Sequence, residues 1–539
     1  MARESLQRKL DRVRPPRVRI TYDTALAGDI ETREIPFVIG VMGDYSGMSA
    51  RPPLGERSFQ RVDFDTFDQV LAELAPRACF KIPSSLTGGE LYVDLTFRSM
   101  EDFEPEHVLK QLAPLDLLRK SGSPEASDGI ARHLDSVLHA REFQALESAW
   151  RTVSYLVSQT ESSSQLEIKL LDVTKSELLK DLQRSPELEQ SGLFKLVYKM
   201  PYSRFGADPF GILVGDFAFG HSANDVEVLS RLAALASECH APFVADAAPQ
   251  MFGIESFRQL ADSRDPARVF ESVEYMQWRA FRESEDARYV ALALPRFLLR
   301  APYGMRPGMP DEFQYQEDTR AGEHLLWGNA AFAFAGCVAN AFTRYGWCGA
   351  IRGAEGGGLV QGLPTWVSHT AGDKEIRSGV EVMISDRREK ELADLGFLPL
   401  VQCLNTDRAA FFSVPSCRKP TVYMDARADT NSRLSCQLPY TLTASRFMQY
   451  FKVMARDRLG SYHTRGDWER YFNKWIQRYV MLDDLASPAI QATYPLREAR
   501  IDVAEDPGRP GVYRLVAFLR PTFQLDELSG SLRFVGRIP

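Results

Sequence analysis

Three sets of residues in this chain are suited to chemistry, and the first two are a glycine-rich loop and an adjacent cysteine and histidine. The loop at 353–358, GAEGGG, is rich in glycine, and the backbone N–H groups of such a loop can bind a phosphate group. No Lys-Ser or Lys-Thr pair follows it, so the P-loop pattern is not met. Cys239 and His240 would supply a nucleophile and a base, but adjacent residues rarely bring both side chains into mutual reach. We therefore interpret the loop as a tight structural turn and His240 as the end of a helix.

A charged run at residues 281–288 is a third candidate site. Paired carboxylates would suit acid–base catalysis. The same spacing suits ion pairs on one helix face, joining Arg282 to Glu285 or Asp286 and Glu285 to Arg288. The eight histidines form no H-E-x-x-H motif and no short Cys/His cluster, which argues against zinc. We predict a protein that is not an enzyme, with no catalytic residue, cofactor or metal.

The composition is that of a globular protein. Of the 539 residues, 44% are hydrophobic and 25% are charged, and this length predicts two to four domains. A net charge of −7 gives no general argument for nucleic acid, although the arginine-rich first twenty residues suit either a solvated arm or a docking segment. Seven cysteines without a C-x-x-C motif indicate a reducing compartment. With no apolar leader and no run of 18 apolar residues, we expect a cytoplasmic protein without membrane insertion.

The periodicity predicts a mixed α/β fold. An apolar strand at 210–217, a helix capped by Ser222 and a strand at 242–245 form a β-α-β unit. The run Leu326–Phe334, rich in small and aromatic residues, predicts a buried helix, with a ligand pocket as the less favoured alternative. The segment 121–129, SGSPEASDG, is small, polar and helix-breaking, and predicts a linker between regions 1–120 and 130–539.

The first and last predicted strands each have one apolar face. In residues 17–22 that face holds Val18, Ile20 and Tyr22, and in 531–538 it holds Leu532, Phe534 and Ile538. A terminal strand of this kind either completes its own domain or is an unpaired edge that pairs with another chain.

Nearly the whole chain resembles the two sheath subunits of the type VI secretion system. Residues 12–118 resemble the small subunit (TssB, VipA-like) through RVRPPRVRITYD at 12–23, EIPFVIGVMGDYSG at 34–47, FDTFDQVLAELAPR at 64–77 and LTFRSMEDFEPEHVLKQ at 95–111. Residues 130–539 resemble the large subunit (TssC, VipB-like) through FQALESAWRTVSYLV at 143–157, FRESEDARYVALALPRFLLRAPYG at 281–304, LWGNAAFAF at 326–334, YGWCGAIRGAEGGGLVQGLP at 345–364, SDRREKELADLGFLPL at 385–400 and RPTFQLDELSGSLRFVGRIP at 520–539.

The resemblance implies a multi-domain contractile-sheath fold, similar to phage tail sheaths, that stacks as six-membered rings around an inner tube and contracts to propel it. It implies partners as well: further copies of the chain, the inner tube protein, baseplate and distal cap proteins, and an AAA+ unfoldase. A non-contractile sheath or a baseplate-like component is the alternative. Strands exchanged between protomers would then involve Arg17, Val18, Arg19, Ile20, Thr21, Tyr22, Leu532, Arg533, Phe534, Val535 and Ile538.

The chain departs from the family in three respects. The subunits are separate polypeptides in the family, whereas here a short segment at 119–130 replaces the tail of one and the N-terminal extension of the other. The family's unfoldase grips a helix in that extension, and we find no counterpart, so we expect weak remodelling. Thr522 stands where the family usually has His, and Asp246 interrupts a small, apolar stretch.

Overall fold

The computed structural model describes the chain from residue 20 to residue 538 with gaps. The described residues are 20–26, 29–84, 89–121, 124–160, 163, 165–204, 206–260, 266–304, 315–319, 324–370, 373–377, 379–403, 406–458, 464–481, 494–505, 513–521 and 532–538. Within them the fold is mixed α/β, as predicted. No described helix is long and apolar enough to cross a membrane.

The strands are numbered in chain order. They are β1 (Thr21–Leu26), β2 (Asp29–Glu34), β3 (Phe37–Gly43), β4 (Gln60–Val62), β5 (Arg77–Ser84), β6 (Gly89–Thr96), β7 (Leu166–Asp172), β8 (Phe210–Phe219), β9 (Phe243–Ala247), β10 (Val290–Leu294), β11 (Phe297–Leu298), β12 (Trp327–Gly328), β13 (Leu359–Val360), β14 (Trp366–Thr370), β15 (Asp373–Arg377), β16 (Phe397–Gln402), β17 (Ala409–Phe411), β18 (Leu496–Glu505), β19 (Tyr513–Pro521) and β20 (Leu532–Ile538).

The α-helices are numbered in the same way. They are α1 (Phe67–Leu74), α2 (Pro105–Gln111), α3 (Ala113–Ser121), α4 (Pro124–Leu138), α5 (Arg141–Gln159), α6 (Lys175–Arg184), α7 (Gly192–Phe194), α8 (Met200–Ser203), α9 (Ala223–Cys239), α10 (Pro266–Val269), α11 (Met276–Glu283), α12 (Ala330–Tyr345), α13 (Asp386–Asp394), α14 (Ala426–Ser435), α15 (Leu438–Asp457) and α16 (Arg465–Ile476).

Nine of the described strands form the central sheet, in the order β13-β17-β16-β10-β9-β8-β3-β7-β4. Strand β3 runs parallel to both neighbours, so that Ile39 lies opposite Ile168 of β7 and Ile212 of β8. It comes from region 1–120, whereas β7 and β8 come from region 130–539. The two regions therefore build one sheet together and are not separately folded units.

Strand β3 is buried on both faces because successive side chains of a strand point to opposite sides. Ile39 and Val41 pack into one apolar core with α5 and α12. Val38 and Met42 pack into a second core, which contains α6 and α9. Such a continuous apolar run, instead of an alternation, is typical of a parallel sheet covered by helices on both faces.

A third apolar core lies beside the sheet. It joins α15 and α16 to the three-stranded sheet β18-β19-β20 and to the first residues of β1. Helix α15 also contacts β8 of the central sheet. This helix therefore connects the central sheet to both ends of the described chain.

Several predicted elements begin at other residues. Helix α9 follows the N-cap Ser222, as predicted, with the Ser222 hydroxyl accepting from the Asp225 N–H at 3.2 Å. Of the strand predicted at 17–22, residues 17–19 lie outside the described residues, Ile20 is not in a strand, and β1 begins at Thr21. The helix predicted from Leu326 begins at Ala330, after the side chain of Asn329 caps it.

The prediction that 121–129 is helix-breaking is wrong. Residues 124–129 are the first turns of α4, and Pro124 occupies the first helical position, where its missing N–H costs nothing. Further along the same helix, Ile130 and Leu134 are buried in the first core. This packing stabilises a helix that local composition disfavours, whereas the boundary between regions 1–120 and 130–539 stays a prediction.

Candidate assembly interface

Both ends of the described chain lie on α15 and α16. Ile20 and Tyr22 are 3% and 1% exposed and share an apolar core with Leu515 and Leu519 of β19. At the other end, β20 pairs antiparallel with β19 along its whole length, from Leu532 opposite Leu519 to Ile538 opposite Tyr513. Helix α15, which contacts both β1 and β20, is therefore common to the two terminal segments.

The main chain at the start of β1 is held by polar groups of aromatic side chains. The Tyr450 hydroxyl donates to the carbonyl of Ile20. The indole N–H of Trp475 donates to the carbonyl of Thr21 at 2.8 Å, and the Tyr479 hydroxyl accepts the N–H of Thr21 at 3.1 Å. The polar backbone groups of Thr21 are thus satisfied within the chain, and β1 has no open edge at this residue.

The two edges of the three-stranded sheet differ. At the β18 edge, Asn473 of α16 donates to the carbonyl of Ile501 at 2.7 Å and accepts its N–H at 3.0 Å. Gln477, which follows α16, donates to the carbonyl of Ala499 at 3.1 Å. At the opposite edge, β20 has β19 as its hydrogen-bonded neighbour within the described residues. Among the described residues, the β18 edge is therefore closed by side chains, whereas no strand lies beyond β20, which α15 contacts.

The structure places the predicted interface residues in two separate sheets. Arg17, Val18 and Arg19 lie outside the described residues. Ile20 precedes β1, Thr21 and Tyr22 begin it, and β1 pairs with β2, not with β20. The C-terminal residues Leu532, Arg533, Phe534, Val535 and Ile538 all lie in β20.

The burial of Ile20 and Tyr22 confirms the predicted apolar face in this part of the first strand. The Tyr22 hydroxyl donates to Asp457 at 2.8 Å. Burial, with a contribution from this bond, raises the pKa of Tyr22 well above its usual value. Sequence reasoning missed the side chains of α16 that bind β18. The signal in the sequence is the spacing of Asn473 and Gln477, because residues four positions apart place their amide side chains on one helix face.

The pair Cys239 and His240 has the wrong chemistry for a nucleophile and base. His240 caps α9 in the left-handed region (φ 51°), as the helix-end interpretation predicted. Burial raises the pKa of the Cys239 thiol and lowers the pKa of the His240 ring. Both groups are therefore held neutral, whereas a reactive cysteine requires the thiolate.

Backbone hydrogen bonds hold the glycine-rich loop, both within the loop and to Phe411 of β17. The N–H of Gly353 donates to the carbonyl of Phe411 at 2.7 Å, and the N–H of Gly358 donates to the carbonyl of Gly353 at 2.9 Å. Gly357 has φ 96°, and a Cβ atom there would lie 2.1 Å from the carbonyl oxygen of Ala350. These contacts support the structural turn.

The charged run at 281–288 contains one of the predicted ion pairs. Glu285 pairs with Arg288, as predicted, and also with Arg418. The predicted pairing of Arg282 is wrong, because its guanidinium donates to the carbonyl of Cys417 at 3.0 Å. Helix α11 ends at Glu283, so the side chains of Arg282 and Glu285 do not lie on one helix face. Within the described residues, no cluster of three or more His, Cys, Asp or Glu could hold a metal ion.

Three family models match successive parts of the chain. Residues 10–121 match the model described as type VI secretion system, VipA, VC_A0107 or Hcp2. Residues 125–418 match EvpB/VC_A0108, tail sheath N-terminal domain, and residues 427–538 match EvpB/VC_A0108, tail sheath gpW/gp25-like domain.

Curated relatives from Pseudomonas aeruginosa match both regions. The type VI secretion system sheath protein TssC1 is 40% identical over 448 residues, which are 80% of this chain and 89% of that protein. The sheath protein TssB1 is 38% identical over 141 residues, which are 26% of this chain and 81% of that protein. Among solved structures, the contracted helical sheath of the anti-feeding prophage aligns over 97% of this chain and 95% of its own, at 12% identity and a TM-score of 0.34. The matches to VipA, VipB and TssC1 show that this chain belongs to the type VI secretion system sheath family, with the VipA and VipB domains in one polypeptide.

Proposed function

We propose that this chain is the structural protomer of a contractile sheath. Copies of it polymerise as stacked six-membered rings around an inner tube, and the sheath contracts to propel that tube. The observation that carries the proposal is that β3 of the VipA domain lies between β7 and β8 of the VipB domain. One chain thus contains a joint fold for which the family uses two polypeptides, and the covalent link fixes their ratio at one to one.

Protomers are joined through their terminal strands. When β20 of one protomer pairs with β19 of its neighbour, the residue pairs are those that form within one chain, so exchange leaves the energy of the ladder almost unchanged. Each hydrogen bond is worth about 0.5–1.5 kcal/mol net. A ladder along the whole of β20 would therefore keep neighbours linked while the rings rotate. Residues 17–22 would exchange in the same way, so that Tyr450 and Trp475 bind this segment of a neighbour through the bonds they make within one chain.

The proposed partners follow from this role. They are the inner tube protein, baseplate proteins and a distal cap, and the protein acts in the cytoplasm as a structural component without enzymatic activity. Remodelling by an AAA+ unfoldase is weak, because the short stretch at 119–130 replaces the extension that carries the family's recognition helix. That stretch leads into the rest of α4, whose Leu134 and Leu138 are fully buried. A static sheath or a baseplate-like component is the second candidate, because the VipA and VipB domains would support it equally.

Proline variants of β20 test the exchanged strand. Successive residues of a strand direct their N–H groups to opposite edges. Of the variants Phe534→Pro and Val535→Pro, one therefore removes an N–H from the β19 ladder and the other removes an N–H from the opposite edge of β20. We expect both variants to fold and neither to form tubes. The matched controls Phe534→Leu and Val535→Ile keep the N–H groups and should assemble. Tubes are detected by pelleting and negative-stain microscopy.

Normal tubes from both proline variants would contradict strand exchange. Loss of folding in both would show that β20 simply completes its own domain. Thr21→Pro tests the N-terminal segment separately, because it removes the N–H that Tyr479 accepts. We expect this variant to fold but to assemble poorly.

A further inference from the structure

Helix α15 is joined to the central sheet by four buried polar side chains, which we call the carbonyl seam: Arg446, Gln449, Lys452 and Arg456. Their spacing of three or four residues places them on one face of the helix. Each is at most 9% exposed. Such a polar face is unexpected between two apolar cores, where hydrophobic packing usually predominates.

The central part of the seam binds main-chain carbonyls. The side-chain amide of Gln449 donates to the carbonyls of Phe210 and His240, both at 2.8 Å. The ammonium of Lys452 donates to the carbonyl of Glu238 at 2.6 Å. These carbonyls lie where the chain enters β8 and β9, at the N-terminal edge of the parallel strands.

The two arginines extend the seam in both directions along α15. Arg446 donates to the carbonyls of Ile35 and Pro36, directly before β3. One nitrogen of Arg456 lies 3.1–3.2 Å from three carbonyls in residues 201–207, which precede β8. The seam therefore contacts the entry to each of the three central strands β3, β8 and β9.

Buried cations are a costly way to attach a helix. Within the described residues, Asp457 is the carboxylate that forms an ion pair with the seam, through Arg456 at 2.8 Å. Burial lowers the pKa of Lys452 to about 8, although the rings of Tyr198 and Tyr202 lie 4.8 and 5.4 Å from its ammonium. Apolar side chains of similar volume often give equal or greater stability at such sites. What hydrogen bonds to fixed carbonyls add is direction, because they define the angle and register of α15 on the sheet.

We propose that the four seam residues are positioning residues for sheath assembly. Helix α15 contacts β1, β19 and β20 on its other sides, so the seam sets how the terminal strands are oriented relative to the central sheet. That orientation determines the angle at which one protomer meets the next. The inference rests on the proposed function, since it assumes assembly through these strands.

The test compares seam variants with a variant that is destabilised elsewhere. Gln449→Met removes the amide donors with little change in volume, and Lys452→Met removes the ammonium. Leu229→Ala, at a fully buried position in the middle of α9, lowers stability and leaves the four seam side chains unchanged. Gln69→Met makes the same replacement on the exposed face of α1. The readouts are the thermal midpoint, the lowest protein concentration that yields tubes, and the helical rise of those tubes.

We expect both seam variants to fold but to need about tenfold more protein to form tubes, or to form tubes with a changed helical rise. Leu229→Ala and Gln69→Met should assemble like the unmodified protein at temperatures below their midpoints. Seam variants that assemble as well as Leu229→Ala would overturn the inference and leave the proposed function intact. If the unmodified chain forms no tubes, the proposed function fails and the seam inference with it. If Lys452→Met or Gln449→Met does not fold, Arg446→Lys replaces it, since that change keeps the charge and loses the forked reach.

Discussion

Cutting the chain between its two regions should leave them bound to each other. A protease site inserted between Ser121 and Pro124 allows specific cleavage in the native state. The cut separates β3 from β7 and β8 along the chain but breaks none of the ladders between them. We expect the two fragments to elute together on gel filtration in native buffer at about 1 μM.

The strength of binding between the two fragments follows from the burial of β3. Five large apolar side chains of this strand are at most 2% exposed: Phe37, Val38, Ile39, Val41 and Met42. At about 1.5–3 kcal/mol each, they contribute roughly 8–15 kcal/mol. A micromolar dissociation constant corresponds to about 8 kcal/mol, and association costs about 4–15 kcal/mol in lost freedom. The free energy from burying strand β3 is therefore comparable to the cost of association. The other contacts between the regions provide the remaining free energy of binding.

Those further contacts are specific. Asp172 of β7 accepts the N–H groups of Tyr45 and Ser46 at 2.8 and 3.1 Å, and the indole N–H of Trp150 donates to the carbonyl of Tyr45 at 2.9 Å. Below the concentration at which tubes form, the cut protein should accordingly unfold in one transition whose midpoint rises with protein concentration, whereas the midpoint of the uncut protein should not. Two peaks at 1 μM, or two independent transitions, would refute the shared fold.

Two further predictions concern buried charges. Burial raises the pKa of Asp216 to about 6. Its contribution to stability is therefore complete below the unfolded pKa near 4 and is lost as the pH rises through 6. Asp216→Asn should raise the free energy of unfolding at pH 7.5 by at most about 3 kcal/mol, and a gain that persists at pH 4 in urea titrations would contradict this. Arg300 is buried between Glu147 and Glu317 at 2.9 and 2.7 Å, so Arg300→Met should cost about 3–5 kcal/mol in the same assay. The exposed control Arg387→Met should cost less than about 1 kcal/mol, and an equal loss in both would show that the buried network is not special.

Local signals in the sequence predicted local structure well. Ser222 was identifiable as an N-cap because its hydroxyl bonds a residue only three positions away. His240 was identifiable as a helix end for a similar reason. The residues of β3 form a long apolar run, which is typical of a buried strand. It did not indicate the position of that strand, because its partners begin at Leu166 and Phe210, more than 120 residues further along the chain.

The errors have the same origin. Pro124 and Gly129 disfavour a helix locally, but burial of the α4 side chains that follow decides the conformation. The pairing expected for Arg282 fails because a distant carbonyl, that of Cys417, is the better partner. The terminal strands could be recognised from alternation. The closing of the β18 edge could not be recognised in this way, because Asn473, which closes it, belongs to another element.

Electron microscopy of the purified, unmodified chain decides whether it is a sheath protomer. We expect hollow, striated tubes with six-fold rings whose helical reconstruction has one copy of this chain per repeating unit. Strand β3 should lie between β7 and β8 of the same copy, and a strand from the neighbouring copy should complete the β18–β20 sheet. Particles that stay monomeric at all concentrations and salt conditions, or tubes in which each β18–β20 sheet is built from a single copy, would contradict it.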